Sequence, residues 1–401
     1  MSHGTIVRLA LLSAVCMALG GCSETGDAYI AGINPNPYPS ADGPGEVLDP
    51  DEVQSAQRIA AIIEAHLARL YPTGQIARDA HPKSTGCVDA VFTVNNDLEA
   101  KFRHGIFSEP GRSYRAVIRF SNSNENPTLP DRDPDGRGMA IKLFDLRPNQ
   151  IPIVADPLSS LSPRADIPFV APDYMHLAGG LSQDFVMISH PVFLVADPVG
   201  YRKVIGNTDS ASPLAAIVRP FIALEGLGIT GIRNAMAITS LKIANPLAQR
   251  YWSMVPYRLG TGPTAIATKF SVLPVSFPAD PAAPDPADPD FLRHAMTRSL
   301  AKGDAKFAFA IQPRTAPSQP VEDPRIDWPE AEAPFHTVAT ITVPKQNFDT
   351  DPRNKACELL SYSPWHALPD HKPLGAVNRM RKVIYRYISA FRRDKETAAA
   401  R

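Results

Sequence analysis

The spacing of apolar and polar positions changes along the chain. Between Val377 and Arg393, valines, isoleucines and aromatics recur among six basic residues with no Gly or Pro after Gly375. That spacing predicts an amphipathic helix starting near Leu374 or Gly375. Between Asp51 and Leu70, Ile59, Ile62, Ile63, Leu67 and Leu70 also repeat at helical spacing. This predicts a packed surface helix with Asp49 or Asp51 as its cap. The middle of the chain alternates instead. Tyr114 to Ser121 reads as a strand carrying Arg119 and Ser121 on one face, and Gly136 to Phe144 as a second strand beyond a polar loop. The two suggest an antiparallel hairpin. Further strand patterns cover the run up to Val94, Asp184 to Pro198 (which enters a helix near Pro198), Ala265 to Pro274, Lys306 to Gln312 and Phe335 to Pro344. Pro274 to Asp290 is a Pro/Asp/Ala loop. Pro213 to Ile243 reads as an apolar helix, but Arg219, Glu225, Arg233 and Asn234 interrupt it and argue against a membrane span.

The N-terminus follows a different logic. Arg8 precedes the apolar run Leu9 to Leu19, too short to anchor across a bilayer. The run ends in Leu19-Gly20-Gly21-Cys22, which resembles the lipobox of bacterial lipoproteins. That resemblance implies a signal peptide over residues 1–21, lipidation of Cys22 and export to the bacterial envelope. Ser23 and Glu24 after the cysteine imply the outer membrane, facing the periplasm. Residues 22–50 are rich in Pro, Gly, Asn and Asp and read as an extended tether. The formal net charge is zero, which offers no argument for nucleic acid. Cys16 leaves with the signal and Cys22 is the anchor, so only Cys87 and Cys357 remain in the folded part. Whether they pair is left open by the sequence.

The predicted C-terminal helix carries the first chemical signal. Arg381 stands one turn before Tyr385 and Arg392 two turns after it, all on one face. A nearby cation favours phenolate over phenol, and phenolate is one of the few axial ligands used for haem iron. An ordinary packing tyrosine on a basic helix fits the same spacing. His81 lies directly before Pro82, where most histidines are loop residues. Its chemical use would be as a proton carrier.

Taken in order, five motifs resemble the haem catalase superfamily, in particular its small bacterial catalase-like branch of catalase-related peroxidases. They are Arg78-Asp-Ala-His81; Arg119-Phe120-Ser121; Asp133 to Phe144; Asp184 to Pro198 with Pro191-Val-Phe193; and Ser361-Tyr-Ser-Pro364-Trp365 leading to Arg381, Tyr385 and Arg392. The resemblance implies an α+β fold, a closed antiparallel β-barrel with surrounding helices over residues 51–401, with haem between the barrel and the C-terminal helix. It implies Tyr385 as iron ligand with Arg381 beside it, and Arg78, Arg119 and Arg392 on the haem propionates. Phe120 and Phe193 are expected to line the cofactor. His81, oriented by Ser121, is expected to move the proton of a peroxide. Where catalases place a distal asparagine, an ungapped match puts Ile188, with Ser189 and His190 as the next polar side chains. The implied function is a peroxide-using oxidoreductase, a peroxidase or peroxygenase with weak catalase activity at most. Its partners are a peroxide and either a small organic reductant or a lipid hydroperoxide. A fatty-acid hydroperoxide isomerase and a non-catalytic haem-binding lipoprotein are the alternatives.

Overall fold

The computed structural model describes residues 38–73, 76–154, 181–205, 213–280 and 282–399, without side chains at 213–223, 393 and 396–399. Residues 1–37 lie outside this range, so the expected signal peptide and Cys22 are not described. Among the described residues, nine strands form one antiparallel sheet: β1 (Ser84–Val94), β2 (Ser113–Asn122), β3 (Arg137–Leu143), β4 (Gln183–Ile188), β5 (Tyr251–Trp252), β6 (Tyr257–Leu259), β7 (Ile266–Ser276), β8 (Ala305–Pro313) and β9 (His336–Val343). Eight of them close a ring in the order β5-β4-β3-β2-β1-β9-β8-β7, with β7 pairing back onto β5 and β6 lying beside β7. Closure removes the exposed edges of the sheet. The expected hairpin is β2 and β3, in register from Ala116↔Leu143 to Asn122↔Arg137.

Alternation fixes what each strand presents. In β2, Ala116, Ile118 and Phe120 point into the main core, whereas Val117 packs outside the barrel with Cys87 and Cys357. The barrel is filled, not hollow. Phe92, Phe185, Phe270 and Phe309 are at most 1% exposed, with ring centroids 4.7 to 5.6 Å apart along the chain of contacts Phe185–Phe309, Phe185–Phe270, Phe92–Phe309 and Phe270–Phe309. Buried side chains of this size dominate core energetics.

Among the described residues, six helical segments surround the barrel: α1 (Glu52–Leu70), α2 (Pro198–Ile205), α3 (Pro213–Ser240, kinked at Gly228), α4 (Phe291–Leu300), α5 (Asp351–Leu359) and α6 (Ala376–Ala399). No described helix is long and apolar enough to cross a membrane. The apolar stripe of α1 (Ile59, Ile63, Leu67) and that of α6 (Val383, Ile384, Ile388) belong to one core. Neither expected cap serves α1 through its side chain. Asp51 is the N-cap residue without a capping bond, and Asp49 Oδ1 accepts instead from the Asp51 N–H at 2.8 Å. Gly375 precedes α6 at φ +84°, and a Cβ there would meet the Val321 carbonyl oxygen at 2.5 Å. The first free N–H groups of the helix are met by carboxylates, Gly375 N by Glu46 (2.9 Å) and Ala376 N by Glu322 (2.7 Å). Anions there also complement the helix dipole.

Residues 38–46, expected within the tether, pack against the fold, whereas residues 47–50 are exposed. Glu46 pairs with buried Arg379 at 2.6 Å, Tyr38 donates to Glu52 at 2.8 Å, and Lys372 pairs with Asp42. Arg379 is completely buried and would be uncompensated without Glu46, Glu52 and Glu322, so Glu46 is drawn in despite its loop-like sequence. Cys87 of β1 and Cys357 of α5 form a disulfide.

Candidate active site

The histidine segment lies across the open ends of β1, β2 and β3. His81 adopts φ +59°, a left-handed conformation uncommon for a residue with a side chain and disfavoured before proline. Arg119 holds it there by donating to the carbonyls of His81 (2.9 Å) and Pro82 (3.4 Å). The imidazole Nδ1 hydrogen bonds with Ser121 Oγ at 3.1 Å. Beneath the ring is Gly138, where a Cβ would lie 2.6 Å from Nδ1 and 2.7 Å from Ser121 Oγ. Only a glycine leaves room for this histidine.

Register extends the site across the sheet. Gly138 pairs with Ser121 on one side and with Ile188 on the other, and directly opposed residues share a face. Ile188 therefore stands on the His81 side, in an apolar cluster with Ile238, Met254 and Phe193. Ser189 and His190 are engaged elsewhere. Ser189 Oγ accepts from the Arg137 N–H (3.0 Å), and His190 Nδ1 lies 3.2 Å from the Val192 carbonyl. The position facing His81 is thus apolar.

Phe193 links this wall to α6, because the Arg381 guanidinium lies over its ring at 5.5 Å. Arg381 is 8% exposed, and its Nη1 has no hydrogen-bond partner among the described residues. Burial pushes the His81 imidazole down to about 3, and the guanidiniums of Arg119, Arg381 and Arg78 push it the same way. His81 is therefore neutral at pH 7 and feels the α6 cation directly. Tyr385, one turn beyond Arg381, is half-buried. Tyr201 of α2 and Tyr257 of β6 feel both Arg381 and Tyr385, and burial drives both phenols well above their usual range. Neither was flagged by the sequence, since both sit in segments without a motif. Tyr257 is the clearer omission, being fully buried with a hydroxyl that has no hydrogen-bond partner among the described residues. Asp79, between Arg78 and His81, is another: burial raises its carboxyl to about 6, with Glu125 adding to the rise and His66 opposing it.

The three expected propionate arginines converge on one segment. Arg392 Nε donates to the Ile76 carbonyl (3.0 Å), Arg119 to that of His81, and Arg78 and Arg119 both face Glu358 at 3.6 Å. Phe120 is not brought to this group. It points from β2 into the barrel, 1% exposed and 6.0 Å from the Tyr251 ring, on the face opposite Arg119 and Ser121. Strand alternation alone requires this.

The arrangement suits haem in its donor chemistry. A phenol and a guanidinium stand one turn apart on α6, and a neutral imidazole is held over a glycine cradle. Among the described residues, one buried guanidinium nitrogen each on Arg78, Arg119 and Arg381 lacks a hydrogen-bond partner, and an acidic cofactor would supply acceptors for them. No protein-family model matches the chain, and no curated protein does. Solved structures do. A fungal catalase matches at 17% identity and TM-score 0.57, covering 90% of this chain and 66% of its own. Catalase A from Saccharomyces cerevisiae matches at 15% identity and TM-score 0.57, covering 88% and 66%. A bacterial catalase matches at 13% identity and TM-score 0.57, covering 90% and 64%. The chain thus spans slightly under two thirds of the length of these catalases. At such identities the likeness establishes a catalase-like fold.

Proposed function

We propose that this chain is a haem-dependent oxidoreductase that uses a peroxide, a peroxidase or peroxygenase of the small catalase-like branch with weak catalase activity at most. The observation that carries this reading is the line His81–Ser121–Gly138–Ile188 beside the buried guanidinium of Arg381, whose Nη1 has no hydrogen-bond partner among the described residues, one turn from Tyr385. Bound haem would supply a ferric centre able to accept the oxidising equivalents of a peroxide. Tyr385 would hold the iron through its phenolate oxygen, with Arg381 as counter-charge. Arg78, Arg119 and Arg392 would take the propionates. With Nδ1–H donated to Ser121, His81 Nε2 carries the lone pair, takes the peroxide proton and returns it to the departing oxygen. Carboxylates on Arg78 and Arg119 would offset part of the field that depresses this imidazole and make it a better base.

Ile188 offers no hydrogen bond where it faces this imidazole, so peroxide is bound less firmly and dismutation is slow. The same apolar wall, with Phe193, Ile238 and Met254, favours the second reading, a fatty-acid hydroperoxide isomerase. The pattern around Cys22 supports export and a lipid anchor at the outer membrane, which would set the site beside lipid. Visible spectra of the wild type and Tyr385→Phe test the haem reading. A Soret band with tyrosinate-type ferric features, lost or shifted in the mutant, is expected. Hydrogen peroxide, an aromatic reductant and a lipid hydroperoxide, assayed side by side on wild type and His81→Ala, then separate the activities. Failure to take up haem on reconstitution would refute the enzyme assignment.

A further inference from the structure

Arg78 and Arg119 already share an anion. The Glu358 carboxylate lies 3.6 Å from Arg78 Nε and 3.6 Å from Arg119 Nη2. Its backbone is well fixed. The carbonyls of Cys357, Glu358 and Leu360 accept from Arg78 at 3.3, 3.1 and 2.5 Å, and Cys357 is bonded to Cys87 of β1. Its carboxylate is not. Both ion pairs are longer than a charge-assisted hydrogen bond of about 2.7–2.9 Å. The side chain is 32% exposed, and it occupies the last turn of α5, where the helix dipole disfavours a negative charge. Meanwhile Nε of Arg78, although 3.6 Å from the Glu358 carboxylate, and Nε of Arg119 stay buried without a hydrogen-bond partner among the described residues, so Glu358 leaves part of the pair's donor capacity unfilled.

We propose that Glu358 is a displaceable carboxylate within the cofactor site: it neutralises Arg78 and Arg119 until a haem propionate takes them, and so sets how tightly the chain binds haem. This rests on the haem reading above. The exchange breaks no covalent bond. One carboxylate leaves the two guanidiniums for water as another arrives, while the disulfide keeps the turn and its three carbonyls in place. Glu358 thereby acts as a determinant of cofactor affinity, favouring an acidic porphyrin able to compete for both arginines.

Haemin and haemin dimethyl ester, which lacks the free carboxylates, are titrated into the full chain and followed by Soret absorbance and tryptophan quenching. Glu358→Gln should tighten haemin binding about five- to thirtyfold, the range expected for releasing two partly exposed ion pairs, and leave the diester unchanged. Glu358→Asp, too short to face both arginines, should fall between wild type and Gln, and provides the test if Gln compromises folding. Weaker or equal haemin binding by the variants, or an equal gain for both porphyrins, overturns the exchange while leaving the haem assignment intact. Absence of binding in the wild type overturns both.

Discussion

Replacing Gly138 with alanine tests whether the histidine site is as tightly constructed as the geometry implies. The added Cβ would lie 2.6 Å from His81 Nδ1, 2.7 Å from Cε1 and 2.7 Å from Ser121 Oγ. Ordinary contact begins near 3.4 Å, so these atoms must retreat by roughly 0.7–0.8 Å. The main chain cannot yield freely, because Arg119 clamps the His81 carbonyl and Gly138 is paired on both sides in the sheet. The ring must therefore turn and release Ser121. Overpacking costs about 1–3 kcal/mol and the hydrogen bond about 0.5–1.5, so a loss of about 2–4 kcal/mol is expected, or a fall of about 5 °C in Tm. Urea unfolding of Gly138→Ala, Ser121→Ala and the double variant provides the measurement. With Ser121 Oγ removed, one obstacle is gone, and the double variant should lose less than the sum of the single ones. An unchanged urea midpoint for Gly138→Ala, or strict additivity, would refute the argument. On the proposed function, in which His81 carries the peroxide proton, peroxide turnover in Gly138→Ala should drop at least as far as in Ser121→Ala.

Other consequences follow from buried charge and cross-linking. Arg379→Met strands the buried carboxylates of Glu46 and Glu52, and chemical denaturation at pH 7 should show a loss of about 3–5 kcal/mol; a change below 1 kcal/mol contradicts the network. Burial drives His81 and His371 down to about 3, with neighbouring cationic groups adding to both shifts. In each case the unfolded chain binds the proton more readily. Their stabilisation is therefore complete above about pH 6.5 and is lost as pH falls toward 3, at up to about 1.4 kcal/mol per pH unit for each histidine. Urea midpoints between pH 7 and 4 should fall less steeply in His371→Gln than in the wild type; equal slopes would contradict the assignment. The disulfide closes a sequence separation of 270 residues, and the double variant Cys87→Ala/Cys357→Ala should lose about 2–5 kcal/mol. Its urea midpoint should also be indifferent to reductant, while the wild type's drops to meet it.

Local periodicity determined much of this molecule. The helix α6 and the strands β2 and β3 are visible from spacing alone, because α6 gathers its apolar residues on one face at helical period and the strands alternate residues between the barrel core and its outer side. Motif order, more than any single residue, pointed to the catalase-like barrel and to His81, Ser121, Arg381 and Tyr385. Alternation also contained the placement of Phe120, whose neighbours on both sides face the histidine while it faces the barrel core. What the tertiary structure decided were contacts between segments far apart in sequence, for which local spacing carries no signal. The ring closes through the two-residue strand β5, too short to show a period. Residues 38–46 look like tether by composition, yet Arg379, 333 positions beyond Glu46, draws them into the fold because a buried guanidinium requires carboxylates around it. The pairing of Cys87 with Cys357, and the place of Glu358 between Arg78 and Arg119, arise from α5 packing on the outer face of β1 and β2. A carboxylate can be seen in a sequence, but which cation it meets is set by the fold that brings the two together.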